Sequence, residues 1–375
     1  MDTCHILIVE DDTLTIEGWE RDIRDFNRRS EKAFEFRQSF ATNKREALQK
    51  LSQQRFDCAV VDLRLPNSPD EQGTGEPIGN DVLHGVLRDL GIPAWVYSGY
   101  ESEISEEVKA SNIKVARKEG GATAAILEDF EKQAGLMDAM DQMRRKVAQE
   151  TSHLFNRSIW PRWEERWATR GDRELIKGII IRQTVAHVAE ALSQAPAHHP
   201  DEFYVVPALY ADRLETGDIL THGEEILIVL TPRCNLANSK LPTKIVFAVC
   251  TPCEAWARWQ IDLGGSSKVK EKAEDDVRKH ATQGHAIATH FMPPLDTRGP
   301  WLVDFRELRV VDSSKVTELL QQRIATVAPQ FIANLVQRHA AYIGRIGQPE
   351  IDAKLLTDLC RAITPAPVPV SDGPA

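Results

Sequence analysis

Across residues 5–116 the chain alternates short apolar runs with amphipathic stretches of helical period, and most of the runs give way to residues with chemistry of their own. Residues 5–9 (HILIV), 35–41, 58–61 (CAVV), 94–98 (AWVYS) and 114–116 read as strands. Residues 14–27, 43–54, 80–90 and 105–110, and the stretch from Thr123 onward, read as helices between and after them. The CAVV run has no polar position, as a strand covered on both faces requires. Strands alternating with helices in this way predict an α/β sheet of parallel strands. The carboxyl ends of such strands share one edge, and ligands bind beyond it.

That edge collects a specific set of groups. Glu10, Asp11 and Asp12 follow the first strand, Asp62 follows the third, Ser98 closes the fourth and Lys118 follows the fifth. Phosphoryl transfer to a carboxylate develops negative charge on the phosphoryl oxygens, which a Mg²⁺ ion with hard oxygen ligands offsets. Asp11 and Asp62 are the expected metal holders, helped by a carbonyl from the loop after Asp62. Lys118 supplies a fixed positive charge, and Ser98 a hydroxyl for a phosphoryl oxygen. Crowded carboxylates repel, so one of them is expected to titrate high.

Taken together, ILIVEDD, DLRLP with a proline four residues after the aspartate, YSGY and the late lysine resemble the receiver domains of bacterial response regulators. The resemblance implies a flavodoxin-like five-stranded parallel sheet of order 2-1-3-4-5 over residues 1–133. It further implies Asp62 as phosphoacceptor, Glu10 and Asp11 as the acidic pair, the Arg64 carbonyl as a further Mg²⁺ ligand, and Ser98 and Lys118 as the switch hydroxyl and lysine. A histidine kinase is the implied phosphodonor, and the receiver would catalyse its own phosphorylation and dephosphorylation. Two positions depart from the pattern. Glu119 stands where a proline is usual after the lysine, and Val115 where an aromatic ring is usual three residues before it. The ring movement that couples phosphorylation to the surface in that family is therefore in question here. The loop at 67–79, rich in Gly, Pro and acid, is long enough to cover the site or meet a partner.

Beyond residue 133 the reading becomes coarser. Residues 134–195 read as a helical linker, with Trp160, Trp163 and Trp167 as a seam. Residues 201–312 read as an α+β output domain with a small barrel-like or curled sheet. Its strands are expected at 203–208, 225–230, 244–250, 286–291, 302–305 and 308–311, with turns at Gly217 and Gly223 and a charged helical insertion at 268–280. Residues 313–362 read as C-terminal helices and 363–375, with four prolines, as a disordered tail. The LTPRCNLANSK and FIANLVQRHAAYIGRIGQPE stretches loosely resemble C-terminal regions of receiver proteins from bacterial defence operons. This resemblance implies an antiviral role.

Cys250 and Cys253 have zinc-knuckle spacing, and Cys234 with His290 or His285 would complete a tetrahedral set. The favoured alternative makes these cysteines small packed residues at strand ends. A Cys234 nucleophile assisted by His222 or His290 is a further alternative. Net charge is −10, but residues 1–130 carry 25 acidic and 16 basic side chains while the remainder carries 31 and 30. Neither part is a basic footprint, which argues against nucleic acid as partner and against a DNA-binding regulator. No apolar run is long enough to span a membrane, and the N-terminal residues lack a basic leader, so a cytoplasmic location is expected. The function expected is signalling through contacts with an effector protein, with homodimerisation open, rather than enzymatic turnover. A zinc-dependent or catalytic output domain is the main alternative.

Overall fold

The computed structural model describes residues 2–71, 76–169, 172–195, 197–237, 242–345 and 350–362. The proline-rich stretch 363–375 therefore lies outside the described residues, as do the centre of the 67–79 loop and parts of the two stretches that carry the defence-operon resemblance. The chain forms two compact units, Met1–Gln194 and Ala195–Ala375.

In the first unit, strands β1 (Thr3–Val9), β2 (Glu35–Ala41), β3 (Cys58–Val61), β4 (Ala94–Tyr97) and β5 (Lys114–Ala116) form one sheet of order β2-β1-β3-β4-β5. Every pairing in it is parallel. This is the flavodoxin-like sheet that the receiver resemblance implied. All four residues of β3 are buried, so each face of the central strand has its own cover. On one face Leu7, Val9, Ala59 and Val61 pack with Val82, Leu83 and Val86. On the other, Ile6, Ile8, Cys58 and Val60 pack with Trp19, Ile23, Phe26, Ile126 and Phe130. Period-two alternation in the strands thus feeds two cores at once.

The helices of this unit are α1 (Thr13–Asn27), α2 (Lys44–Gln53), α3 (Gly79–Gly85), the single turn α4 (Glu106–Lys109) and α5 (Ala122–Lys132). Side chains fix where two of them begin. Asp12 accepts from the Thr15 amide at 2.8 Å at the start of α1, and Asn43 accepts from the Glu46 amide at 2.9 Å at the start of α2. Such caps each contribute about 1 kcal/mol. Helix α6 (Ala134–Leu154) continues from α5 and belongs to the same unit: Met137 is buried in the core beside Phe130, and Arg144 donates to the Leu90 carbonyl at 2.6 Å. After a short turn, α7 (Trp160–Arg162), flanked by π-helical turns, helix α8 (Arg173–Leu192) returns along α6. Trp167 is buried with Ile159 and Ile176 in the small core of this hairpin, whereas Trp160 and Trp163 are exposed.

The second unit is built on a seven-stranded sheet of order β10-β11-β9-β8-β7-β12-β6, paired antiparallel throughout. Its strands are β6 (Tyr204–Val205), β7 (Asp218–His222), β8 (Glu225–Val229), β9 (Lys244–Pro252), β10 (Thr289–Met292), β11 (Trp301–Asp312) and β12 (Arg323–Val327). Its helices are α9 (Arg233–Leu236), α10 (Ala255–Asp262), α11 (Ser267–Ala281), α12 (Val316–Gln321), α13 (Pro329–Ile343) and α14 (Ala353–Ala362). Four expectations need correcting. The strands read at 302–305 and 308–311 are one strand, β11, interrupted by a bulge between Asp304 and Leu308. Residues 218–222, for which no strand was expected between the turns at Gly217 and Gly223, form β7, and residues 323–327, read as helix, form β12. The strand read at 203–208 contracts to the two residues of β6.

A buried ion pair ties β7 to β12. Arg323 donates to Asp218 at 2.9 Å and to the Arg213 carbonyl at 2.8 Å, and it also bonds the Tyr210 carbonyl. The Glu215 amide at 2.8 Å and the Thr326 hydroxyl complete the Asp218 carboxylate. Removing one member of such a pair strands the other charge in a dry interior. Arg323→Met is expected to destabilise the second unit by about 3–5 kcal/mol, read as a drop in the urea midpoint followed by tryptophan fluorescence. An unmoved midpoint would show that the pair contributes nothing net.

Candidate functional site: an acidic cluster at the sheet edge

Parallel strands place the ends of β1, β3, β4 and β5 side by side, and the side chains that follow them converge. Glu10 and Asp62 are buried, Asp11 is exposed and Ser98 is fully buried. One carboxylate oxygen from each of Glu10, Asp11 and Asp62 lies within 4.8 Å of the others. Lys118 reaches this group from the end of β5, its ammonium 2.7 Å from Asp62 Oδ2 and 2.7 Å from Glu10 Oε2. Of the residues expected from sequence to meet here, Glu10, Asp11, Asp62 and Lys118 are brought together.

Electrostatics follow from burial. Three carboxylates face one ammonium, and water reaches Glu10 least. Burial pushes the Glu10 carboxyl up from 4.5 to about 7, against the opposing pull of Lys118. The Asp11 carboxyl is also raised, again chiefly by burial. For Lys118 burial alone would favour the neutral amine, but hydrogen bonds to Asp62 and Glu10 outweigh it and raise its pKa. The cluster is short of positive charge, and its donors are all carboxylate oxygens. That set fits a hard divalent cation such as Mg²⁺, which takes oxygen ligands. Asp11, Asp62 and Glu10 are the residues that would hold it.

The surrounding loops are fastened to the site. The Gly79 amide donates to the Leu63 carbonyl at 2.8 Å, and a Cβ built on Gly79 would lie 2.0 Å from the Asp62 carbonyl oxygen. Only glycine allows α3 to start that close to the backbone of Asp62. Arg64 turns away from the cluster and makes two bonds to Glu103, at 3.1 and 2.5 Å, with its guanidinium over the Tyr100 ring. Asn80 donates to the Glu103 carbonyl at 3.0 Å and accepts from the Ser105 amide at 2.9 Å. These bonds join the loop after β3 to the loop after β4. Sequence reading named Arg64 only for its carbonyl and missed this use of its side chain. Acidic residues at 101 and 103, beside Tyr100, were the available signal.

The departures from the receiver pattern have visible counterparts. Val115 is 40% exposed on β5, so no ring is packed there, while Tyr97 of β4 is buried edge-on to Trp19 at 5.5 Å.

The other candidate residues do not assemble. Cys234 is exposed on α9, Cys250 is buried in the core of the second sheet, and Cys253 is buried with Trp259 and Phe291. No three of Cys234, Cys250, Cys253, His285 and His290 bring ligand atoms within 4.8 Å of one another. The zinc set does not assemble, and the cysteines match the favoured alternative: Cys250 on β9 and Cys253, just past its end, are packed in two separate apolar clusters. Nor is Cys234 paired with a base, since its thiol bonds Asn235 Oδ1 at 3.7 Å and the buried ring nitrogens of His290 have no hydrogen-bond partner.

No family model matches the chain, and no curated protein matches it. Solved receiver domains do match, over the N-terminal third. A response regulator receiver domain from Methylobacillus flagellatus aligns at 18% identity with a TM-score of 0.28, covering 36% of this chain and 99% of that one. A response regulator of Thermotoga maritima, solved with Mg²⁺ and BeF, aligns at 17% identity and TM-score 0.26 over 36% and 99%. The receiver domain of a sensor histidine kinase from Pseudomonas aeruginosa, with magnesium coordinated in its active-site cleft, gives 18%, 0.27, 36% and 98%. These matches leave the defence-operon resemblance of the C-terminal half without support. Among the described residues no helix is long and apolar enough to cross a membrane.

The raised Glu10 carboxyl has a measurable consequence. Between pH 4.5 and about 7 the folded chain keeps a proton on Glu10 that the unfolded chain has released. Its contribution therefore lowers stability as pH rises through that window and is constant outside it. Glu10→Gln is expected to flatten this part of the stability profile in metal-free buffer, as measured by denaturant unfolding on both sides of the window. A slope equal to the parent's would assign it to other groups.

Proposed function

We propose that the protein is a response regulator that accepts a phosphoryl group on Asp62 from a histidine kinase and signals through its second unit. The observation that carries this is the placement of a buried Asp62 carboxylate between a 2.7 Å contact to Lys118 and the carboxylates of Glu10 and Asp11. In this reading an Asp62 oxygen attacks phosphorus while the bond from phosphorus to the donor histidine nitrogen breaks. The imidazole leaves with the electron pair and takes up a proton. Asp11, Asp62 and Glu10, with the Arg64 carbonyl, would hold a Mg²⁺ ion, which would supply positive charge to offset that on the phosphoryl group. Lys118 exchanges one carboxylate partner for a phosphoryl oxygen, and the Ser98 hydroxyl approaches another. Charge held in place beforehand, where negative charge develops in the transition state, does most of the catalytic work in such transfers.

Signal leaves through the joined loops. A phosphoryl group on Asp62 would change what Lys118 and Ser98 hold, and Ser98 already accepts from the Tyr100 amide at 3.3 Å. Tyr100 in turn lies under Arg64, whose two bonds reach Glu103. Phosphorylation then biases an equilibrium between two arrangements of this loop pair. The output is a protein contact rather than turnover of an outside substrate or binding of nucleic acid. The near balance of acidic and basic side chains after residue 130 supports that choice.

Acetyl phosphate with Mg²⁺ is expected to add the mass of one phosphoryl group to the full-length chain, removable by hydroxylamine, and Asp62→Asn is expected to abolish the addition. An unchanged intact mass for the parent chain after both a small phosphodonor and phosphorylated histidine kinases would reject the proposal.

A further inference from the structure

The second unit contains a cavity of about 480 Å³ far from any residue named so far as a phosphoryl ligand in sequence, lined chiefly by Phe203, Trp256, Trp259, Phe291, Phe331 and His290. Its size falls within the range of small-molecule sites. No Lys, Arg, Asp or Glu side chain lines it. Phe203 and Phe331 are tilted 31° to one another with ring centres 4.8 Å apart, and Phe203 is 6.3 Å from the His290 ring. Flat apolar surfaces of this kind favour a flat guest.

Most polar groups in the wall are already committed. The Gln283 carboxamide bonds both the amide and the carbonyl of Phe291, at 2.9 and 2.8 Å. Trp259 donates to Asp276 at 2.8 Å, Thr282 to the Arg278 carbonyl at 2.8 Å, and His198 is bonded to Glu202 at 2.7 Å. His290 is different. It is 2% exposed, and neither ring nitrogen has a hydrogen-bond partner. Buried polar groups are nearly always paired, so an unpaired one in a cavity wall points to a ligand that pairs it. Burial holds the ring neutral, with its pKa down at about 3, which leaves one donor and one acceptor nitrogen.

The wall is also held in shape. Arg338 of α13 donates to the carbonyls of Gln283, Ala286 and Thr289 at 2.7, 2.8 and 2.8 Å, fixing the segment that leads into β10 and His290. A fixed wall lowers the ordering cost of binding.

We propose that this cavity binds an uncharged, flat aromatic or heteroaromatic small molecule that stacks among Phe203, Phe331 and Trp256 and hydrogen-bonds the His290 ring. The missing charged lining selects against ions, and the single unpaired imidazole selects for a guest with one hydroxyl, amine or ring nitrogen. The site stands independently of phosphorylation at Asp62, and the second unit would then join a chemical signal to the phosphoryl one.

The test uses full-length protein and the neutral probe N-phenyl-1-naphthylamine, whose fluorescence rises in apolar sites. Saturable binding at one probe per chain is expected, with displacement by 2-naphthol and weaker displacement by naphthalene and by anionic 2-naphthoate. His290→Phe, which keeps the volume apolar, is expected to cut 2-naphthol affinity about tenfold while leaving naphthalene unchanged. Ala281→Trp, at the cavity wall, is expected to block the probe while circular dichroism shows a folded chain. Absence of saturable binding, undiminished binding in folded Ala281→Trp, or 2-naphthoate competing as well as 2-naphthol would overturn the proposal. So would expulsion of the probe on concentrating the protein alone, which would make a second copy the occupant. Because the readout needs no phosphodonor, its failure is separable from failure of the phosphoryl reading.

Discussion

The Lys118 ammonium is the one positive charge inside a cage of carboxylates, and the first unit's chemistry depends on it. Glu10 and Asp62 are both nearly dry, and each is 2.7 Å from the amine. Without that contact two buried negative charges would face one another with Asp11 close by, an arrangement a protein interior does not tolerate unless protons or a cation relieve it. The same shortage of positive charge makes the cluster receptive to a divalent cation. Affinity for the ion and the cost of ionising Glu10 are two expressions of one local field.

How much of this could be read from the chain depended on how local the signal was. The five strands of the first sheet were legible because each is a short apolar run bounded by helical period, and CAVV declared a strand covered twice. The cluster was legible for the same reason: Glu10, Asp11, Asp62 and Lys118 follow strand ends, so topology alone brings them together. The second sheet hid more. Strand β12 (Arg323–Val327) lies between two helices and contributes only a brief apolar pattern, RIATV, inside a window of helical period. What makes it a strand is Asp218, 105 residues away, which captures Arg323 and Thr326. A long-range ion pair leaves no trace in local periodicity.

The cysteines teach the converse. Cys250 and Cys253 have a metal-binding spacing, but spacing fixes only distance along the chain. On β9 the pleat sends Cys250 into the main core of the second sheet, and Cys253, just past the strand end, joins the cluster of Trp259 and Phe291. Likewise Arg64 was read for its backbone carbonyl because it follows Asp62 by two residues. Its side chain instead spans to Glu103, a pairing that depends on how two loops approach in space.

Gly79 bears on how the long segment after Asp62 can vary. Its missing side chain lets the start of α3 lie against the carbonyl of Asp62, while at the other end the Lys44 amide holds the Pro66 carbonyl at 3.0 Å. Pro66 and Gly79 are thus both fastened, one at each end of the segment after Asp62. Changes of length or composition between those two points leave the backbone of Asp62 held where it is, so the segment can diverge beside a fixed carboxylate.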